Sequence, residues 1–237
     1  MQPFKKIILK YIRHFLSRRG WLLTKEKKSA EYGPLSFWEN DIEFNKIYTQ
    51  VKDNTMVDQI RCYMIYQLSL QVKSLDGDVA EIGVWRGGTG KLLSTILSQK
   101  TVYLFDTFEG LPEINAQFDE DFHTQGMFDD TSENLVKQYL EDFGNIQIIK
   151  GTFPKSVESK KISDKFCFIH VDVDLYQSAY DCLNYFYKLL VVGGVIVFDD
   201  YGFGTCPGVK KAVDSFFETK KEFPIYLPSG QCLIIKK

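Results

Sequence analysis

The sequence predicts an α/β fold: a mostly parallel sheet, an antiparallel C-terminal edge, and a helical extension in front. Three observations predict it. From residue 78 onward, short β-branched runs alternate with helical patterns, which requires crossover connections between parallel strands. Four strand ends carry glycines or aspartates, as ligand-binding parallel sheets do. Two final apolar runs flank Pro228-Ser229-Gly230, a turn signal that closes a hairpin.

Taken in order, Lys5–Leu23 reads as a basic amphipathic helix, with Phe4, Ile7, Ile8, Tyr11, Ile12, Phe15 and Leu16 at helical spacing among Lys and Arg. It suits a membrane surface or a partner, or packs as an arm on its own or a second subunit. Its apolar content exceeds what an exposed arm needs, which points to a homodimer. Gly33-Pro34 breaks the chain, and 41–50 and 55–72 are expected as helices. Residues 1–54 are thus an extension and 55–237 the domain. Strands are expected over 79–83, 101–106, 146–150, 166–172 and 195–199, with helices over 89–97, 132–143, 178–190 and 207–217. The closing hairpin pairs 225–227 with 231–235.

Composition bounds the function. The 237 residues suit one large α/β domain, and 44% apolar residues with 19 Phe and 13 Tyr exclude bulk disorder. The longest apolar run, Leu189–Phe198, is interrupted by two glycines and is too short to span a bilayer. Residues 1–28 carry a net charge of +8, leaving −10 on the other 209, so the acidic body argues against a nucleic-acid groove. Five widely spaced cysteines without a C-x-x-C fit a reducing cytoplasm better than a disulfide framework. No secretory signal is visible at the N-terminus.

The chemistry should sit at the strand ends. Strand one runs into Glu81-Ile82-Gly83-Val84-Trp85-Arg86-Gly87-Gly88, where glycines let the backbone approach a ligand and turn into a helix. Asp106 ends strand two, 23 residues past Gly83, where a carboxylate can accept from ribose hydroxyls. Trp85 stands where a dinucleotide fingerprint needs its second glycine, which disfavours a pyrophosphate and favours an adenosyl ligand. A plain tight βα turn is the alternative. Asp172 and Asp199-Asp200 end two strands expected to be neighbours. Carboxylates so close repel one another unless a cation removes the cost, and all-oxygen donors favour Mg²⁺. The alternative is helix capping by Asp174, Asp199 or Asp200. The aromatic stretch 108–131 reads as a lid over substrate or as ordinary packing, and His123 and His170 read as structural histidines.

The stretches Glu81–Gly88, Asp106-Thr107-Phe108-Glu109-Gly110-Leu111-Pro112, His170-Val171-Asp172-Val173-Asp174-Leu175-Tyr176 and Gly193–Gly202 resemble, as an ordered set, the macrocin O-methyltransferase family, which includes sugar methyltransferases of macrolide and aminocoumarin pathways. The resemblance covers about Thr55 to Phe217. It implies a Rossmann-like class I methyltransferase fold with seven strands, and an O-methyltransferase that uses S-adenosylmethionine and Mg²⁺ on a sugar hydroxyl. By the same resemblance, Glu81, Gly83, Val84, Trp85, Gly87, Asp106, Thr107, Phe108, Thr152, Phe153 and Asp172 surround S-adenosylmethionine, and Asp172, Asp199 and Asp200 hold the metal. The family resembles catechol O-methyltransferase in its metal arrangement, but the lysine of that enzyme is Leu175 here, so Asp172 or Asp174 is the candidate base. Competing readings are a methyltransferase of catechol-like diols and a non-catalytic S-adenosylmethionine-binding scaffold docked by the basic arm. The three rim aspartates argue against the scaffold.

Overall fold

The computed structural model describes residues 37–119, 122–158 and 160–237. The expected basic helix lies outside them. Phe37–Asn40 forms a 3-10 turn at the end of a unit that closes at Asn40, and a second compact unit runs from Asp41 to Lys237.

Side-chain caps start the first two helices of that second unit. Asp41 accepts the Phe44 N–H and opens α1 (Ile42–Val51), which buries Phe44 and Val51. Asp58 accepts the Arg61 N–H and opens α2 (Gln59–Val72), so this helix starts four residues later than its apolar pattern suggests. Cys62, Ile65, Tyr66, Ser69 and Val72 form its buried stripe. The chain then alternates through β1 (Asp78–Ile82), α3 (Gly88–Ile96), β2 (Val102–Asp106), α4 (Glu133–Tyr139), β3 (Ile146–Lys150), β4 (Phe166–Val171), α5 (Tyr176–Phe186), β5 (Leu190–Phe198), α6 (Pro207–Phe217), β6 (Ile225–Tyr226) and β7 (Cys232–Ile235).

The seven strands form one sheet in the order β3-β2-β1-β4-β5-β7-β6, parallel from β3 to β5, with β7 antiparallel to both β5 and β6. This is the expected fold class, including the antiparallel edge. The strand order reverses direction between β1 and β4, which opens a crevice at their carboxyl ends. Register decides what meets there. Ile82 pairs with Phe105 and Val171, and Val171 pairs with Phe198. The next residues along, Gly83, Asp106, Asp172 and Asp199, therefore share one rim.

Two expectations are corrected. The helix expected over 178–190 ends at Phe186, and β5 begins at Leu190 instead of Val195. Leu190 already pairs with Phe166, and a register irregularity opposite Gly193-Gly194 restores pairing at Val195. Sheet pairing thus overrides the local helical pattern. The core beneath the rim is aromatic: Phe105, Phe166, Phe168, Phe186 and Phe198 are fully buried. All five cysteines are free and buried. Among the described residues no helix is long and apolar enough to cross a membrane.

Candidate active site

At the carboxyl edge of the sheet lies a cavity of about 320 Å³. Of the residues proposed from sequence, Gly83, Val84, Trp85, Asp106, Thr107, Thr152, Phe153, Asp172, Asp174 and Asp200 line it, whereas Glu81, Gly87, Phe108 and Asp199 do not.

The β1 turn is held by its neighbours. Gly83 sits at φ +86°, and a Cβ there would lie 1.7 Å from the Asp172 carbonyl oxygen, so only glycine allows β1 and β4 to approach so closely. Asp106 accepts the Val84 N–H at 2.7 Å and the Trp85 N–H at 2.9 Å through Oδ2, and the Phe108 N–H at 2.7 Å through Oδ1. Three of its roughly four acceptor sites are thereby used to shape the turn, with capacity left for a ligand hydroxyl. Trp85, which lines the cavity, is held from two sides: its indole N–H donates to Asp130 at 2.7 Å, and the Arg86 guanidinium covers its ring. Gly87, at φ +85°, caps α3 from the left-handed region. Phe153 stacks on Phe186 with ring centroids 5.2 Å apart, which fixes one wall.

On the other side, Asp172, Asp199 and Asp200 offer oxygens that all lie within 4.8 Å of one another. Their environments differ. Asp199 is fully buried. It pairs with Arg61 from α2, accepts from Gln231 Nε2 at 2.8 Å, and lies 3.4 Å from His170 Nε2. Burial opposes its ionisation, but His170, Arg61 and Gln231 together hold its carboxyl below the usual range. Asp172 and Asp200 are pushed well up, first by burial and then by the neighbouring carboxylates. His170 also bridges to Glu81 at 2.9 Å, beneath the rim. Among the described residues, His170 and Arg61 pair with Glu81 and Asp199, whereas Asp172 and Asp200 have no ion pair. The three aspartates offer an all-oxygen donor set, which would suit a hard divalent cation.

The capping alternative fails. No side chain of Asp174, Asp199 or Asp200 caps a helix: the N-cap residues are Leu175 for α5 and Cys206 for α6, and neither makes a side-chain capping bond. The first N–H of α5 is instead satisfied by Asp119 Oδ1 at 2.8 Å, from the long loop.

Residues 49–225 match the family model described as Macrocin-O-methyltransferase (TylF). The chain belongs to the macrocin O-methyltransferase family. Demethyldecarbamoylnovobiocin O-methyltransferase of Streptomyces niveus is 30% identical over 157 residues, covering 60% of this chain and 59% of that one. Mycinamicin III 3''-O-methyltransferase of Micromonospora griseorubida is 27% identical over 146 residues, 55% of this chain and 57% of that one. The matched stretch thus spans less than two thirds of these curated relatives. The solved structure of the O-methyltransferase NovP superposes with a TM-score of 0.67 at 26% identity, covering 78% of this chain and 82% of that chain.

In this macrocin-family chain, several rim residues escape a strand-end reading. Arg61 comes from α2 and stacks on Phe203 at 5.0 Å, and Gln231 comes from the hairpin. One signal for Arg61 was available: only Arg61 and Arg86 are arginines beyond residue 28. The 108–131 loop packs and lines the cavity at once. Phe118 stacks on Tyr176 at 4.0 Å, while Phe122, His123 and Phe128 face the cavity. Asp119→Ala removes both the anchor of this loop and the cap of α5. It is expected to cost about 1 kcal/mol, read as a lower urea midpoint with faster amide exchange at Tyr176.

Proposed function

We propose that this chain transfers a methyl group from S-adenosylmethionine to a sugar hydroxyl with the help of a divalent cation. The observation that carries the reading is one cavity lined both by the Gly83 turn with Asp106 and by the rim aspartates. The first group, Gly83, Val84, Trp85, Asp106, Thr107, Thr152 and Phe153, suits an adenosyl group. The other, Asp172, Asp174 and Asp200, suits a cation and a polyol. Family membership and relatives named for methylating glycosylated natural products support it.

Asp106 would accept from the ribose hydroxyls with its remaining lone pairs, and Phe153 with Thr152 would border the adenine. Asp172, Asp199 and Asp200 would hold Mg²⁺. Bound there, S-adenosylmethionine supplies an electrophilic methyl group and Mg²⁺ lowers the pKa of a hydroxyl. The side chains otherwise work by positioning, which can be worth roughly 7–11 kcal/mol. Trp85, Phe122 and Phe128 contribute aromatic surface to the lining. Five free cysteines support a reducing, cytoplasmic setting.

The test is methyl transfer from S-adenosylmethionine to p-nitrophenyl α-L-rhamnoside and to 3,4-dihydroxybenzoate, with Mg²⁺ and with EDTA, beside calorimetric titration of S-adenosylmethionine. Methylation of the rhamnoside that falls at least ~100-fold in EDTA, with S-adenosylmethionine binding retained, is expected. Turnover of the catechol alone would replace the sugar reading with a phenolic one. A chain that binds no S-adenosylmethionine would end both.

A further inference from the structure

The stretch 201–204 follows the rim aspartates and borders two hollows. Phe203 lines the cavity at the sheet edge. It also lines a second hollow of about 450 Å³, together with Tyr201, Gly202, Gly204, Lys210 from α6 and Tyr226 from β6.

Two successive turns create this arrangement. The Phe203 N–H donates to the Asp200 carbonyl at 3.1 Å, and the Cys206 N–H to the Phe203 carbonyl at 3.0 Å. The ends of such a turn stay within about 7 Å of each other, so the second hollow begins beside the rim. Phe203 is held from two sides. The Arg61 guanidinium lies over its ring at 5.0 Å, and a Cβ on Gly230 would come within 3.0 Å of it. At Gly202 a Cβ would lie 2.5 Å from the Tyr226 ring, so the closing hairpin packs directly on the turn. Gly204 differs: beyond its chain neighbours, no atom lies within 4 Å of where its Cβ would be, and the hollow stays open there.

The lining is aromatic with one ammonium. Tyr226 is 59% exposed, and its ring stands 6.1 Å from that of Tyr201 at 42°. The Tyr201 hydroxyl donates to Asp214 Oδ1 at 2.6 Å, and Lys210 pairs with the same carboxylate. The charge of Lys210 is thereby matched, while its ammonium keeps N–H donors to spare. This combination suits an uncharged polyol ring. Its C–H bonds meet the electron-rich faces of the aromatics, and its hydroxyl oxygens meet the spare donors.

We propose that this second hollow is a subsite for a second sugar ring, the one to which the methylated sugar is linked. Tyr226 is its platform, and Phe203 divides the two rings. The proposal rests on the sugar reading above and deepens it. The preferred acceptor becomes an uncharged glycoside of at least two sugars, not a lone sugar.

The experiment uses the full chain with methyl α-L-rhamnoside, p-nitrophenyl α-L-rhamnoside and methyl rhamnobiosides of several linkages. It reads kcat/KM for methyl transfer in Mg²⁺ and the shifts of ¹³C-labelled tyrosine rings during titration of each sugar. Y226A removes the platform, and G204W fills the hollow from a position with room for a side chain. Thermal melts check that both variants fold. In the wild type at least one rhamnobioside should exceed methyl rhamnoside in kcat/KM by about tenfold. That ratio should fall to near one in both variants. The same rhamnobioside should shift the Tyr226 ring signal, assigned by its loss in Y226F, and methyl rhamnoside should not. A wild-type ratio near one, or a ratio retained by either folded variant, would overturn the proposal. So would p-nitrophenyl rhamnoside matching the best rhamnobioside, which would give the hollow to an aglycone. If no sugar is methylated, the sugar reading fails on its own test. The tyrosine titration then still decides the subsite, and an unmoved Tyr226 signal overturns it.

Discussion

Asp172→Asn is expected to lower methyl transfer about 1,000-fold and to leave S-adenosylmethionine affinity within a few-fold. The residue stands at the switch between β1 and β4 and lines the cavity. Among the described residues, no arginine or histidine forms an ion pair with its carboxyl or with that of Asp200. A cation held there contributes several kcal/mol, and about 4 kcal/mol corresponds to 1,000-fold. The same substitution should not weaken the metal-free fold. Asp172 is held above its ordinary pKa, so the ionised form is destabilising: its contribution is complete at low pH and is lost as pH rises above the unfolded value near 4. Removing the charge relieves that repulsion at neutral pH. Calorimetry should show a Tm equal to or above wild type without metal, and a Mg²⁺-induced rise in Tm only in the wild type. Activity within tenfold of wild type would sink the metal assignment.

His170→Leu acts on the other side of the ledger. His170, Glu81 and Asp199 are all fully buried, with the imidazole bridging the two carboxylates. Burial alone would push the imidazole down, but the hydrogen bonds to Asp199 and Glu81 win and its pKa is pushed up to about 10. Leucine would leave Glu81 with no partner, since its Oε2 already lacks one, and would leave Asp199 to Arg61 and Gln231. Breaking a buried pair of this kind costs roughly 3–5 kcal/mol, or a Tm loss of about 6–20 °C in a domain this size. The sign of the pH dependence follows from the raised value. The stabilisation from a charged His170 is complete below pH ~6.5 and is lost as pH rises toward 10. Denaturant midpoints across that range should fall in the wild type and stay flatter in the variant. Equal midpoints at pH 7 would show that the bridge contributes nothing.

Much of the fold was legible because its signals are local. Alternating β-branched and helical patterns located every strand of the sheet, and Asp106, Asp172, Asp199 and Asp200 stood out because aspartates at strand ends have little other reason to recur. Where a signal was local but the decision was not, the reading slipped. The helical pattern after Ser178 runs on to Leu190, yet Leu190 pairs with Phe166 and the helix stops at Phe186. The cap of α5 comes from Asp119, 57 residues away, and no pattern around Tyr176 announces it.

The sequence by itself determined the parallel α/β class, the glycine turn and the row of rim carboxylates, because periodicity and residue type carry that information along the chain. Only the tertiary structure decided which carboxylates are neutralised. His170, Arg61 and Gln231 reach Asp199 from β4, α2 and the closing hairpin, at sequence separations of 29, 138 and 32 residues. Among the described residues Asp172 and Asp200 receive no such partner, and His123, from a loop, lies 3.4 Å from Asp174. The reason is that charge compensation depends on distances of a few ångströms through space, and the strand order sets those distances, not spacing along the chain.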